Sequence, residues 1–181
     1  DFFLMAGDNI YEELVGTSIV RFYERFNHWL KSNWKFQAQK NIAYHYDLGN
    51  QFYKEWLDKT MTYSSALFKS KEEPLAKAQI NKYESICKSL NLKDGDNVLE
   101  IGCGWGGFAE YAVKTRGVNI TGLTLSKEQL EYSKQRMFKQ GFADKSNFLL
   151  QDYRDEKGKY DAVVSIEMFE AVGEKYWPIY F

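Results

Sequence analysis

The sequence predicts an α/β fold with a doubly wound, mostly parallel sheet. From residue 97 onward, short apolar runs alternate with segments of helical pattern, and the joints between them are short. This alternation is typical of strands connected by crossover helices, which makes the strands parallel. A glycine-rich turn directly follows the first apolar run. Because open sheets of this kind bind ligands at the carboxyl ends of their strands, we expect the functional site there.

Four apolar runs supply the predicted strands. Each is bounded by polar or glycine-containing joints and is rich in the residues that buried strands prefer. In chain order they are NVLEIG (97–102), VNITGLT (118–124), NFLLQD (147–152) and DAVVSIEMF (161–169).

The predicted helices carry start and stop signals. The helix after the glycine turn ends at Gly117, and the next begins at Ser126, a favourable N-cap, and ends at Gly141. An earlier helix begins at Pro74, because proline suits the first helical turn. One face of that helix collects Ile80, Tyr83, Cys87 and Leu90.

A change in composition near residues 90–97 divides the chain. Before it the sequence has a helical and aromatic character, and after it strand and helix patterns alternate. We expect an N-terminal helical extension over 1–40, a second helical segment over 41–92 and the sheet-bearing unit over 93–181. A doubly wound sheet usually has more than four strands, so we expect this unit to be the N-terminal half of its domain.

Composition excludes several classes of function. A net charge of −1 gives no indication of a nucleic-acid partner. His28 and His45 are too few for a metal cluster, and Cys87 and Cys103 do not suggest a disulfide framework. No apolar run approaches the ~20 residues that span a bilayer, and the N-terminus lacks the basic start of a signal peptide, so we expect a cytoplasmic protein. The aromatic content of 17% suits the handling of an apolar or cationic species.

The glycine-rich turn EIGCGWGGF (100–108) matches two cofactor motifs. It satisfies both the GxGxxG pattern of dinucleotide sites and the ExGxGxG pattern of S-adenosylmethionine (SAM) methyltransferases. Both patterns need glycine because the backbone must turn sharply and let a ligand approach. A strand before the turn and a helix after it is the context that such a site requires.

Two observations favour SAM over a dinucleotide. Glu100 precedes the turn, where a carboxylate can help to place a cationic amino-acid group but would repel a pyrophosphate. A dinucleotide site also needs an acid at the end of the second strand for the ribose, and here the first acid is Glu128. We therefore expect the ribose and methionine portions to contact Thr124, Ser126 and Gln129.

The turn after the third strand supplies the last predicted contacts. Asp152 and Tyr153 are placed to contact the adenine amino group and ring. The alternative for Asp152 is an ordinary turn acid, since aspartate is common in turns.

Several stretches together resemble the cyclopropane fatty acid synthases, including the mycolic acid cyclopropane synthases. The resemblance covers about residues 40–181, and its first and last stretches are more specific than the glycine turn. The stretches are AYHYDLGNQFYKEWLDKTMTYSSALF (43–68), VLEIGCGWGGFAEYA (98–112), ITGLTLSKEQ (120–129), QDYRD (151–155) and YDAVVSIEMFEAVGEKYW (160–177).

The resemblance implies a Rossmann-like SAM-dependent methyltransferase fold and a reaction. A methyl group from SAM is transferred to the cis double bond of an unsaturated phospholipid acyl chain. A bound bicarbonate then deprotonates the resulting carbocation, and a cyclopropane ring closes. This chemistry requires a dry, cation-tolerant pocket.

The resemblance also implies roles for individual residues. The segment 41–92 becomes a lid over the cofactor, and Glu170 matches the glutamate that holds bicarbonate, with Glu167 as a lower-ranked neighbour. Ser65 lies where many members have a cysteine that helps to bind bicarbonate. The implied cofactor contacts are Tyr63, Ser64, Glu100, Gly102, Cys103, Gly104, Trp105, Gly106, Thr124, Leu125, Ser126, Gln129, Asp152 and Tyr153.

Two departures from the family pattern leave the product open. Ser65 replaces the usual cysteine, and Ala171 stands where a histidine often follows the glutamate. One alternative is C-methylation of a lipid alkene without ring closure. Others are a small-molecule N-methyltransferase and a SAM-binding scaffold without activity.

The segment 19–42 predicts a peripheral membrane contact. Its aromatic and aliphatic residues can share one helical face, and basic residues outnumber its single acid, Glu24. A basic amphipathic helix with Trp and Phe can lie in a lipid interface. The alternative is a helix that packs on its own domain, because core-facing stripes have the same pattern. A homodimer is a further candidate assembly.

Overall fold

A computed structural model describes residues 49–181 and contains one four-stranded parallel sheet. Its strands lie in the order β3-β2-β1-β4, and all three neighbouring pairs are parallel. The strands are β1 (Asn97–Ile101), β2 (Asn119–Thr124), β3 (Ser146–Leu150) and β4 (Ala162–Ser165). The α/β prediction is confirmed, and all four predicted strands are present. The bounds of β1, β2 and β3 lie within two residues of those predicted, and β4 ends four residues earlier than predicted.

The last strand is shorter than its apolar run suggested. β4 ends at Ser165, although apolar residues continue to Phe169. The backbone of Glu167 has φ +48°, in the left-handed region, which is incompatible with an extended strand. The chain therefore leaves the sheet after Ser165, just before Glu167.

The helices surround the sheet and precede it. Three short 3-10 turns lie at 143–145, 153–155 and 174–176. The helices are α1 (Gly49–Lys54), α2 (Leu75–Ser89), α3 (Gly107–Arg116), α4 (Lys127–Lys139), α5 (Phe169–Val172) and α6 (Trp177–Tyr180).

The predicted helix signals operate as expected. The side chain of Ser126 accepts a hydrogen bond from the backbone N–H of Gln129 at 3.2 Å and caps α4. Gly117 ends α3 with φ +73°, the left-handed conformation that glycine adopts without strain. Pro74 immediately precedes α2.

The main core lies between the sheet and helices α2, α3 and α4. Tyr83 and Cys87 of α2 are buried in it, and Ile80 and Leu90 pack against it from the same helix. Both cysteines are free thiols. A second, smaller cluster joins Tyr53 and Met61 to Trp105 of the glycine turn.

The strand order defines where a ligand can bind. The chain moves from β1 outward through β2 to β3 and then returns to the other side of β1 with β4. The carboxyl ends of β1 and β4 therefore border the switch point at which open sheets bind ligands. An open cleft at the opposite edge, beside Asn97 and Asn119, lies at the amino ends of the strands.

The predicted amphipathic segment 19–42 lies outside the described residues. In the part of the chain that the structure describes, no helix combines the length and apolarity needed to cross a bilayer. No group of histidine, cysteine and acidic residues within 49–181 could hold a metal ion.

Candidate functional site

The glycine turn connects β1 to α3 through left-handed backbone conformations. Gly102, Gly104 and Gly106 have φ values of +76°, +53° and +75°. A Cβ at Gly106 would lie 3.0 Å from Cβ of Ser133, so α4 packs closely against the turn. A Cβ at Gly104 would have no atom within 4 Å, so the turn is open at that point. This combination suits a loop whose backbone contacts a ligand.

Glu100 is a buried acid at the base of this turn. Only 3% of the residue is exposed, and its Oε2 has no hydrogen-bond partner among the described residues. Burial raises the pKa of Glu100 to about 8, and the charges of Arg136 and Lys82 oppose that rise. A carboxyl with one unsatisfied oxygen beside an open glycine turn fits a ligand with a cationic group, as the amino-acid portion of SAM has.

Thr124, Ser126 and Gln129 lie together at the carboxyl end of β2, as predicted, and all three are buried. They bond to one another. Gln129 Oε1 accepts from the Thr124 hydroxyl at 2.8 Å, and Thr124 Oγ1 accepts from the Ser126 amide at 3.1 Å. Leu125 lies half-buried between them in the chain. The network holds the start of α4 against β2, and its contact with ribose or methionine stays a prediction.

Asp152 has a partner that the sequence reading missed. Arg154 donates to Asp152 Oδ1 from its backbone N–H at 3.0 Å and from Nε at 2.8 Å, and its Nη2 bonds to Oδ2. The QDYRD stretch offered a signal, because an arginine two residues after an aspartate can reach back to it. Tyr153 is half-buried, and its ring lies 5.3 Å from the ring of Tyr180. A contact between Asp152 and an adenine amino group would share this carboxylate with Arg154.

Aromatic side chains of residues 49–92, the described part of the predicted lid, pack on the glycine turn. Trp105 is 2% exposed, and its indole N–H donates to Asn50 Oδ1 at 2.6 Å. The Tyr53 ring lies 4.8 Å from the Trp105 ring and 5.7 Å from that of Tyr63. Trp56 meets Tyr63 edge-on at 5.3 Å. We call these four rings (Tyr53, Trp56, Tyr63 and Trp105) the lid aromatic cluster.

Arg136 fastens the lid to the sheet-bearing unit. Its Nη1 donates to the backbone carbonyls of Thr60 and Trp105, each at 2.9 Å, and its Nε pairs with Glu110 at 2.5 Å. One guanidinium thus bridges the lid, the glycine turn and α3. The prediction of site residues did not include Arg136, since nothing in the local sequence of α4 indicates these distant carbonyls.

The two adjacent serines of the lid are held by buried polar groups. Lys82 of α2 donates to Ser64 Oγ at 2.5 Å and to the Ser65 carbonyl at 2.6 Å. Gln79 donates to the Ser64 carbonyl at 2.8 Å. Burial lowers the pKa of Lys82 to about 8, against the opposing charge of Glu167. Side chains of α2 therefore fix the conformation of Ser64 and Ser65, which end the segment 60–65 that we call the lid strip.

Ser65 bonds to Glu167. The Ser65 amide donates to Glu167 Oε1 at 2.7 Å, and its hydroxyl bonds to the same oxygen. Glu170, predicted to hold bicarbonate, lies in α5 and is exposed. The two Ser65 donors expected to bind bicarbonate are directed to a carboxylate of the chain itself. Because both donors of Ser65 are occupied, this arrangement does not fit a bound bicarbonate. The role of Glu170 stays a prediction.

Cys103 completes the predicted set. It is buried, its thiol lies 3.8 Å from the Gly104 carbonyl, and burial raises the pKa of the thiol. It has the character of a packing residue within the turn. The parallel sheet and the glycine turn give the described residues the Rossmann-like fold of the SAM-dependent methyltransferases.

The chain belongs to the mycolic acid cyclopropane synthetase family, whose model matches residues 33–181. It is 44% identical over 141 residues to a probable fatty acid methyltransferase of Pseudomonas putida, covering 77% of this chain and 36% of that protein. It is 45% identical over 152 residues to the tuberculostearic acid methyltransferase of Mycobacterium tuberculosis, covering 80% and 35%. The cyclopropane-fatty-acyl-phospholipid synthase of Escherichia coli is 44% identical over 137 residues, covering 76% and 35%. The chain thus spans about a third of the length of these relatives.

Solved structures agree with this family. A mycolic acid cyclopropane synthase complexed with SAH and CTAB superposes with a TM-score of 0.75 at 34% identity, covering 78% of this chain and 50% of that one. A coclaurine N-methyltransferase superposes with a TM-score of 0.64 at 22% identity, covering 83% and 51%, which shows the shared fold alone.

Proposed function

We propose that this chain takes part in SAM-dependent methyl transfer to the cis double bond of an unsaturated phospholipid acyl chain, with a cyclopropane ring as the product. The observation that carries the proposal is the packing of the lid aromatic cluster directly on the glycine turn. The rings of Tyr53 and Trp105 are 4.8 Å apart, and Trp105 is itself part of the turn. Aromatic faces stabilise cations, and both the cofactor and a methylated alkene are cationic.

The residues of the turn suit SAM. Gly104 leaves the loop open, and Glu100 offers a buried carboxyl whose Oε2 has no hydrogen-bond partner among the described residues. When bound, SAM supplies an electrophilic methyl group on a sulfonium. In the proposal, Gly102, Gly104 and Gly106 bring the backbone close to the cofactor, and Glu100 neutralises its amino-acid ammonium.

The lid has two tasks in this reaction. It orients the acyl chain against the cofactor, and it excludes water, which would otherwise capture a carbocation. Arg136 and Lys82 hold the lid strip through backbone carbonyls at 2.9 Å and 2.6 Å, so the strip is fixed on both sides. Fixing the strip lowers the cost of ordering it when lipid binds.

A methyl or methylene branch is the second candidate product. The names of two relatives at 44% and 45% identity, a fatty acid methyltransferase and the tuberculostearic acid methyltransferase, favour it. Ring closure and branching share the methyl transfer and differ in the fate of the cation. Loss of a methyl proton closes the ring or, after a hydride shift, leaves a methylene branch, whereas loss of a proton from the acyl chain leaves a methyl branch. The same site could therefore catalyse ring closure or branching, and identifying the product distinguishes the two.

The test incubates the full-length protein with SAM carrying a CD₃ group and vesicles of cis-unsaturated phospholipid. Mass spectrometry then follows the acyl chains, with vesicles of saturated phospholipid as the control. Transfer with loss of the double bond and retention of two deuteriums indicates a ring. Transfer that leaves an alkene with two deuteriums indicates a methylene branch, and transfer that leaves an alkene with three deuteriums indicates a methyl branch.

Two outcomes would contradict the proposal. One is transfer to soluble amines with none to lipid, which would indicate an N-methyltransferase. The other is SAH binding, measured by calorimetry, without any transfer, which would indicate a scaffold.

A further inference from the structure

We infer that the carboxylate of Glu167 occupies the place of a bound bicarbonate and is the proton acceptor of the reaction. This inference rests on the proposed function, since it concerns the proton that leaves after methyl transfer. If the base is Glu167, the protein needs no dissolved bicarbonate for the proton transfer.

The hydrogen bonds of Ser65 carry the inference. Its amide and its hydroxyl both converge on Glu167 Oε1, the amide at 2.7 Å. Two donors on one oxygen are the arrangement that a small carboxylate or bicarbonate would otherwise take, and both are already in use. The residues are 102 positions apart in the chain, so the contact is a product of the tertiary fold.

The backbone at Glu167 supports a functional role. It has φ +48°, a conformation that a residue with a Cβ adopts only at a cost. Glycine would adopt the same conformation without that cost. The cost is therefore incurred by having a glutamate side chain at this position. Strained residues of this kind are concentrated at functional sites, and here the strain coincides with the contact to Ser65.

The surroundings of the pair hold it in place. Lys82 bonds to the Ser65 carbonyl at 2.6 Å and contributes positive charge beside Glu167. Glu167 is partly buried, whereas Glu170 is exposed. A base must be held within reach of the reacting atoms and partly shielded from water. Glu167 is held by Ser65 and is more shielded from water than Glu170.

The proton transfer balances without any further reactant. The alkene electron pair forms the new carbon–carbon bond to the methyl group, and the carbon–sulfur pair returns to sulfur. A C–H bond of the transferred methyl then breaks, and its electron pair closes the ring as the proton moves to a Glu167 oxygen. For a methylene branch, a hydride first shifts to the cationic carbon, and the same C–H pair forms the new double bond. Glu167 releases the proton to solvent before the next turnover.

The experiment compares the full-length wild type with Glu167→Gln, Glu167→Gly and the matched control Glu174→Gln, an exposed glutamate seven residues further on. Methyl transfer is measured in buffer freed of carbon dioxide and again with added bicarbonate. In parallel, binding of ¹³C-bicarbonate to each protein without SAM is followed by the broadening of its NMR signal. Glu167→Gly relieves the left-handed strain, so this variant tests the idea even if Glu167→Gln folds poorly.

We expect wild-type and Glu174→Gln transfer to be independent of bicarbonate, and Glu167→Gln transfer to fall by about 100-fold or more, the usual effect of losing a general base. Glu167→Gly frees the Ser65 donors, so it should bind ¹³C-bicarbonate and regain transfer when bicarbonate is added. Wild type should give no broadening.

A wild type that needs bicarbonate, or that broadens the ¹³C signal as much as Glu167→Gly does, would overturn the inference. Full transfer by Glu167→Gln would do the same. If wild type transfers no methyl under either condition, the proposed function fails. The role of Glu167 as proton acceptor then fails with it. The binding arm still decides whether Glu167 occupies the place of bicarbonate, since that arm depends only on whether the Ser65 donors are occupied.

Discussion

Replacing Glu100 by glutamine should remove a pH-dependent loss of stability. Glu100 is 3% exposed, and burial raises its pKa from an ordinary 4.5 to about 8. A carboxyl whose pKa is raised in the folded state contributes stability that is fully present below its unfolded pKa and is lost as pH rises to the folded pKa. The window in which Glu100 lowers the stability of the wild type therefore runs from about pH 4.5 to about pH 8.

The magnitude follows from the width of that window. At about 1.4 kcal/mol per pH unit, the interval corresponds to about 5 kcal/mol across the whole window and about 3 kcal/mol by pH 7. Glutamine keeps the shape of the side chain and cannot ionise. The difference in free energy of unfolding between Glu100→Gln and wild type should therefore grow in favour of the variant by these amounts as pH rises from 4.5.

Urea unfolding followed by tryptophan fluorescence at several pH values between 4.5 and 8.5 measures this difference. Glu72→Gln is the control, because Glu72 is exposed. The plot of unfolding free energy against pH for this variant should remain parallel to that of the wild type. Parallel curves for wild type and Glu100→Gln would show that Glu100 ionises as easily folded as unfolded. The inference that burial keeps Glu100 protonated until a cationic ligand binds would then be wrong.

Two further predictions concern the same region. Because Glu100 holds its proton near neutral pH, binding of the SAH ammonium beside it should release up to one proton at pH 7. Calorimetry in two buffers of different ionisation enthalpy measures this release, and Glu100→Gln should abolish it. Gly107→Ala should destabilise the fold by about 1–3 kcal/mol in urea unfolding, because the new Cβ would lie 2.6 Å from the Tyr83 hydroxyl oxygen. Most of that loss should disappear when the substitution is made in a Tyr83→Phe background, and an equal loss there would contradict the steric explanation.

The features that could be predicted from the sequence are those with local causes. Ser126 caps α4 and Gly117 ends α3 because capping depends on residues within one helical turn. The strands follow from apolar runs of the right length, and their parallel order follows from the helices between them. The sequence predicts that Glu100 helps to place a cationic group, and its burial with an unsatisfied Oε2 is consistent with that prediction.

The features that could not be predicted depend on contacts between distant segments. Nothing near Arg136 indicates that it reaches the Thr60 carbonyl, and nothing near Ser65 indicates Glu167. The resemblance favoured Glu170 over Glu167 because it compares positions in a motif. The role of Glu170 stays a prediction. That Ser65 contacts Glu167 depends on the fold around Glu167, whose backbone has φ +48°.

The long-range ties of the lid also have a consequence for the order of folding. The strands β1, β2 and β3 are joined by single crossover helices, so their contacts close short loops. The lid is tied by Asn50 to Glu128 and by Ser65 to Glu167, across 78 and 102 residues. Contacts that close long loops form late, because their entropy must be overcome before they contribute. We expect the sheet to assemble first and the lid to close over it last, so a chain arrested in folding would expose its cofactor face.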